Sequence, residues 1–228
     1  MHHKSKEIEN LLSSGKLELI GMGSRRACYR LPGDRIRCLK CYRSDEEISM
    51  GKDPGEKTSR PLSMGAVNEI RSCRHDFAKN TCCQEFRYWE SLRGKAPAEL
   101  VSAFPSTMEL VHTSSRGWCL IEELILNDDG SAITKFLPAL KLSNADDRKT
   151  LVELFDAFEK NLVKHTIRFF DPQTIMVQRA DNGLKLRIPD FEPTTRTLLP
   201  IEKLLPFLTR LKIKRRFARY RKTWEQFV

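Results

Sequence analysis

Apolar residues along this chain follow two periods, and the switch between them sets out the elements. Over residues 4–14, Ile8, Leu11 and Leu12 recur three and four apart among charges, which predicts a short amphipathic helix. Residues 19–40, LIGMGSRRACYRLPGDRIRCLK, alternate instead. Breaks at Gly21 and Gly23 and at Pro32-Gly33 divide them into three strands and two turns. Helical spacing returns at Ala66: Val67, Ile70 and Phe77 start a stripe, and Cys82, Phe86, Trp89 and Leu92 continue one as far as Gly94. Residues 104–113 and 117–124 read as two further strands across a Ser-Ser-Arg-Gly turn.

The second half is mainly helical. A brief helix is expected at 135–140. A longer one at 144–164 has Leu151, Leu154, Phe155, Phe158 and Leu162 on one side behind an Asn/Asp start. An irregular turn at 165–172 leads to two short strands, 175–178 and 184–188, whose Asp181-Asn182-Gly183 link signals a type I′ hairpin. Residues 201–228 are again helical: Leu204, Leu205, Leu208 and Leu211 are apolar, and Phe217, Tyr220, Trp224 and Phe227, recurring at 3–4 spacing, are expected to close the core. Residues 44–65, rich in charge, Gly, Pro and Ser and without a period, read as a mobile insertion.

Composition narrows the classes. No run of about eighteen apolar residues is present, so nothing is expected to span a bilayer, and residues 1–12 lack a signal peptide's apolar segment. The seven cysteines are an odd number without secretory context and read as reduced cytoplasmic thiols. Cys38-x-x-Cys41 has the spacing of a zinc pair, but it lies in a strand pattern and its only partner pair, Cys82-Cys83, is adjacent. Most of the net charge of +10 sits in residues 212–222, KIKRRFARYRK, which carry seven basic residues and no acid. That face reads as solvated, or as lying on an anionic membrane. Nucleic acid ranks last, because the body lacks a basic stripe interleaved with aromatics.

The candidate chemistry begins at the glycine turn. Gly21 and Gly23 allow backbone N–H groups to approach a bulky anion, and Lys40 offers a point charge on another strand of the same sheet. A glycine flap and a strand-borne lysine suit the oxygens of a triphosphate.

With these parts in this order, the chain resembles the protein-kinase-like superfamily, and more closely the bacterial YrbL family, named for a PhoP-regulated protein. The residues carrying the resemblance are GMGSRRACYRLPGDRIRCLK, CCQEFRYWESL, and DPQTIMVQ followed by PDFEPTTRTLLP, spanning about residues 17–228. The resemblance implies an α+β, two-lobed fold. Residues 1–125 would form a small antiparallel-sheet lobe with one main helix, and 126–228 a reduced, mainly helical lobe, with a nucleotide cleft between them. It implies ATP and Mg²⁺ as cofactors. Gly21 and Gly23 resemble the first two glycines of the phosphate flap, and Arg26 stands where the third would be. Cys28 and Cys38 fall at the roof of the adenine pocket, and Lys40 resembles the lysine on the α- and β-phosphates. Its helix carboxylate is Glu85 by local sequence or Glu69 by distance along the chain. Residues 121–124, with Glu123, resemble the hinge.

Asp190 resembles the metal-binding aspartate of the D-F-G element, followed by Phe191 and then by Glu192 in place of glycine. The catalytic loop departs most from the family pattern. Phe169 occupies the catalytic-base position, and Thr174 that of the second metal-binding asparagine. Asp171 is the candidate displaced base and His165 a second candidate, although His165 is expected rather to close the preceding helix. Only thirty-eight residues follow Asp190, which leaves no room for a polypeptide-substrate platform; a small acceptor or self-phosphorylation fits better. The expectation is a cytoplasmic nucleotide-binding pseudokinase or slow phosphotransferase, peripheral at the inner membrane if the basic segment docks there. The family name adds a PhoP-linked stress role. The alternative is a non-catalytic interaction protein docking through its basic C-terminal helix.

Overall fold

The computed structural model describes residues 2–49, 62–191 and 205–228. The chain forms two compact units: Met1–Tyr88 with Ser106–Leu124, and Trp89–Pro105 with Ile125–Val228. The architecture is α+β, as expected.

The first unit is built on a five-stranded antiparallel sheet in the order β1-β2-β3-β5-β4 (β1 Glu18–Met22, β2 Arg26–Arg30, β3 Arg37–Tyr42, β4 Met108–Thr113, β5 Gly117–Glu123). Both faces are covered, which explains why β3 is nearly all buried rather than alternating. One face carries Ala27, Tyr29, Leu39, Cys41, Val111, Cys119 and Ile121. Helix α1 (His2–Ser13) closes it with Ile8, while Leu11 and Leu12 pack at the edge. Against the other face, Tyr42 packs with Ile70 and Cys73 of α3 (Met64–Cys73) and Ile48 of α2 (Asp45–Ser49).

The expected single helix after Ala66 is two. Helix α3 ends at Cys73, and α4 runs Thr81–Arg93. Phe77 falls in the break, 39% exposed, stacked edge-on against Trp118 at 4.9 Å. Asn80 fixes the restart. Its Oδ1 accepts from the Cys82 and Cys83 N–H groups (2.8 and 3.3 Å), and its Nδ2 donates to the Arg74 and Trp118 carbonyls (2.8 and 3.2 Å). The same corner requires Gly117, whose φ is +67° and where a Cβ would lie 2.0 Å from the Arg74 carbonyl oxygen. Of the expected insertion, Asp45–Ser49 is helical and 50–61 lie outside the described residues. The strand expected from Phe104 starts only at Met108, because Phe104 turns into the aromatic core of the second unit.

In the second unit, α5 (Ala98–Val101), α6 (Phe136–Leu142), α7 (Ala145–His165) and α8 (Pro206–Arg221) accompany a three-stranded sheet, β6-β7-β8 (Thr134–Lys135, Met176–Ala180, Gly183–Arg187). Helix α7 begins on Asn144, which accepts from the Asp147 N–H at 2.8 Å, and has Lys164 and His165 in its last turn, where cations suit the helix dipole. It ends on Thr166 at φ 56°, ψ 41°, a left-handed cap of the kind glycine usually supplies. The core is a run of rings: Phe136, Phe155, Phe158, Phe169, Phe217, Tyr220 and Trp224.

One expectation is corrected here. The β7–β8 hairpin pairs Ala180 with Gly183 across Asp181-Asn182, but among the described residues Thr166 is the only non-glycine with positive φ. The link is therefore not type I′, which needs positive φ at both central residues; Gly183 takes that conformation instead, at +108°. In α8 the buried stripe is Thr209, Ile213, Phe217 and Tyr220, continued by Trp224, whereas Leu205 and Leu211 face solvent. Leu204 lies outside the described residues.

Candidate functional site

The sheet register assembles the site in the first unit. Cys28 lies opposite Lys40, Cys38 opposite Glu122, and Lys40 opposite Leu120. By strand alternation Arg26, Cys28, Cys38, Lys40 and Glu122 share one face. Cys41 points to the other, so the two thiols of Cys38-x-x-Cys41 are divided by the sheet. Helix α4 brings Glu85 to the same face as Lys40.

Lys40 is only 8% exposed and meets two carboxylates: Glu122 Oε1 at 2.6 Å and Glu85 Oε1 at 3.7 Å. Arg26 donates to the other oxygen of Glu85. The four make a buried double ion pair. Glu69 stands elsewhere, paired with Arg25 at 3.2 Å. Of the two candidate helix carboxylates, Glu85 is the one beside Lys40.

Glu122 is the unusual member. It is 1% exposed, and its Oε2 has no hydrogen-bond partner among the described residues. Burial raises its carboxyl well above the ordinary range, to about 8, and the neighbouring Glu85 charge adds to this, while Lys40 pulls the other way. Cys38 is also held protonated, first by its hydrogen bond with Cys28 and then by burial. Cys38 is thus a neutral thiol on the same face as Lys40, Arg26 and Glu85.

The glycine turn joins β1 to β2. The Gly23 N–H donates to the Arg26 carbonyl at 2.8 Å, so that donor is committed to closing the turn. From below, the Arg43 N–H donates to the Arg25 carbonyl at 3.0 Å, and its fully buried guanidinium reaches the Gly23 carbonyl at 3.4 Å. Neither Gly21 nor Gly23 has positive φ. A Cβ at Gly21 would meet nothing within 4 Å, and one at Gly23 only the Arg26 carbonyl oxygen, at 3.6 Å. The chain's own packing therefore does not demand glycine at either position. At the hinge-like end of β5, the Glu123 N–H donates to the Thr107 carbonyl (3.2 Å), and its carboxylate accepts from the Ser106 N–H (2.5 Å).

In the second unit, Phe169 is 4% exposed and packs edge-on against Phe158 at 5.7 Å and Phe217 at 6.3 Å. Asp171 caps the short 3₁₀ helix Pro172–Thr174, accepting from the Gln173 N–H at 3.2 Å, and the Thr174 hydroxyl donates to the Asp171 carbonyl at 2.8 Å. Both groups serve the turn itself. Phe191 is buried, 5.0 Å edge-on to Phe104, and places the exposed Asp190 just after the β8 hairpin strand. Glu192 lies outside the described residues.

Three strands, helices that bring a carboxylate beside a strand lysine, two more strands and then a mainly helical unit define an α+β protein. The chain belongs to the family described as PhoP regulatory network protein YrbL, whose model matches residues 13–225. Comparison with curated proteins gave no match. Among solved structures, the Toxoplasma gondii kinase Ron13, as a kinase-dead mutant, aligns at 16% identity over 77% of this chain and 28% of its own, with a TM-score of 0.29. The chain therefore spans less than a third of that protein, and a likeness so slight carries no argument.

Residue-by-residue reading had missed Arg26 as an ion-pair partner, Glu122 and Asn80. Only Glu122 left a signal: it lies in phase with Trp118 and Leu120 on a strand, an acid at an inward position. Among the described residues no His, Cys, Asp and Glu cluster could hold a metal ion, and no helix is long and apolar enough to cross a membrane.

Proposed function

We propose that this chain binds Mg-ATP and works as a pseudokinase. The observation carrying the reading is the ion pair of Lys40 on β3 with Glu85 on α4, the strand-lysine and helix-glutamate pair that a kinase needs in place to hold the α- and β-phosphates. The glycine turn fits the same ligand. With no conformational or packing reason of their own, Gly21 and Gly23 leave the turn without side chains where a polyphosphate can come close, although the Gly23 N–H itself is spent on closing the turn. Asp190, exposed and on a loop, is the hard oxygen ligand assigned to Mg²⁺. Mg²⁺ would neutralise charge on the phosphates; Lys40 and the turn would orient them.

Transfer itself has poor support. A buried phenylalanine at the base position can neither accept a proton nor orient a hydroxyl, and Thr174 spends its hydroxyl on the turn. Holding a nucleotide and accelerating its chemistry are separable, since only interactions that strengthen in the transition state raise the rate.

A thermal-shift titration tests the reading. Mg-ATP at a hundred times its Kd adds about 2.7 kcal/mol to wild type. Lys40→Ala abolishes the shift, and Asp190→Asn weakens it in Mg²⁺ but not in EDTA. No shift in wild type overturns the nucleotide. Turnover above background that is lost in both Asp190→Asn and Asp171→Asn makes the protein a slow phosphotransferase, with Asp171 as its base.

A further inference from the structure

Helix α8 carries apolar side chains on two opposite sides. The inner set, Ile213, Phe217 and Tyr220, is buried in the second unit. The outer set is Phe207, 61% exposed, Leu211, 53% exposed, and Ala218, also exposed; their spacings of four and seven residues align them along one line of the helix. Lys222, Arg215 and Arg219 border that line on one side and Lys214 on the other, all exposed. No acid occurs between residues 203 and 224. The basic residues turned inward have other work: Arg221 pairs with Asp156 and Glu159 at 2.7 Å each, and Lys212 lies over the Phe170 ring at 4.3 Å.

We propose that this outer face lies on an anionic phospholipid surface, parallel to the membrane, with Phe207 and Leu211 entering the acyl boundary. An apolar line with cationic borders is the layout of an interfacial helix: rings and leucines enter, while arginine and lysine heads stay among the phosphates. The other occupants fit less well. A phosphate backbone gives Phe207 and Leu211 nothing to contact. A second copy of this face would bring like charges together without an acid to offset them.

Flotation of the full chain with phosphatidylcholine vesicles, with and without phosphatidylglycerol, tests this. Wild type floats with the anionic vesicles only, and less in high salt. Arg215→Gln with Arg219→Gln and Lys222→Gln weakens partitioning about a hundredfold, from roughly tenfold or less for each charge. Phe207→Ser with Leu211→Ser keeps every charge and weakens it about tenfold. All these side chains are exposed, so the variants keep the wild-type melting curve. Phe207→Trp retains the face, and its added indole emission blue-shifts on anionic vesicles. Absence of flotation, an apolar variant that floats like wild type, or no blue shift overturns the proposal. So does duplex DNA bound equally well by wild type and the apolar variant, which assigns the face to nucleic acid.

Discussion

Replacing Glu122 with Gln isolates the carboxyl that, among the described residues, burial holds most firmly in its protonated form. The carboxyl is fully buried, and its pKa is about 8 in the folded chain against 4.5 when unfolded. Between those values the folded state keeps a proton that the unfolded state has released. Stability from this group is therefore fully present below pH 4.5 and is lost as pH rises towards 8. Each pH unit inside the window costs up to about 1.4 kcal/mol. From pH 5.5 to 7.5 wild type should lose about 2–3 kcal/mol from this source. Glutamine preserves the shape and an oxygen for Lys40 but has no proton to release. Urea melts of both proteins across pH 5–9 give the difference curve, in which the other titrating groups cancel. The wild-type curve should fall relative to Glu122→Gln as pH rises. Parallel curves would mean that Lys40 keeps Glu122 ionised throughout, and the reasoning from burial would be wrong.

Three further outcomes follow from the same geometry. If nucleotide phosphates use Lys40, the Mg-ATP affinity of wild type weakens as pH climbs through about 8 and Glu122 ionises, whereas that of Glu122→Gln stays level; calorimetric titration at pH 7 and 9 shows it. Asn80→Ala, which removes the acceptor at the α4 start and a donor to the Arg74 and Trp118 carbonyls, lowers stability by about 2–3 kcal/mol in urea melts. Phe169→Asp does not restore a catalytic base but buries a charge among rings: expect a loss of about 3 kcal/mol or more and no gain in ATP turnover.

The strand–turn–strand unit and helix α7 were legible because each carries a single period and its own punctuation: glycine or proline at the turns, Asn144 at the cap. The type I′ reading failed because Asp181-Asn182-Gly183 can be entered in two frames, and only backbone angles distinguish them. The helix break at Arg74–Asn80 was hidden because Phe77 keeps helical spacing while serving a loop. Lys40 was legible as a cation in a strand. Its immediate partner was not, since Glu122 stands eighty-two residues away and is matched to Lys40 only through the β3–β5 pairing.

Asn80 has a consequence for local stability. It pins the end of α3, the first turn of α4 and the start of β5 at one buried point, and Glu85 is little more than a turn beyond it. A helix start tied at one point to two neighbouring elements is expected to be among the last parts of this unit to open, which keeps Glu85 in register with Lys40.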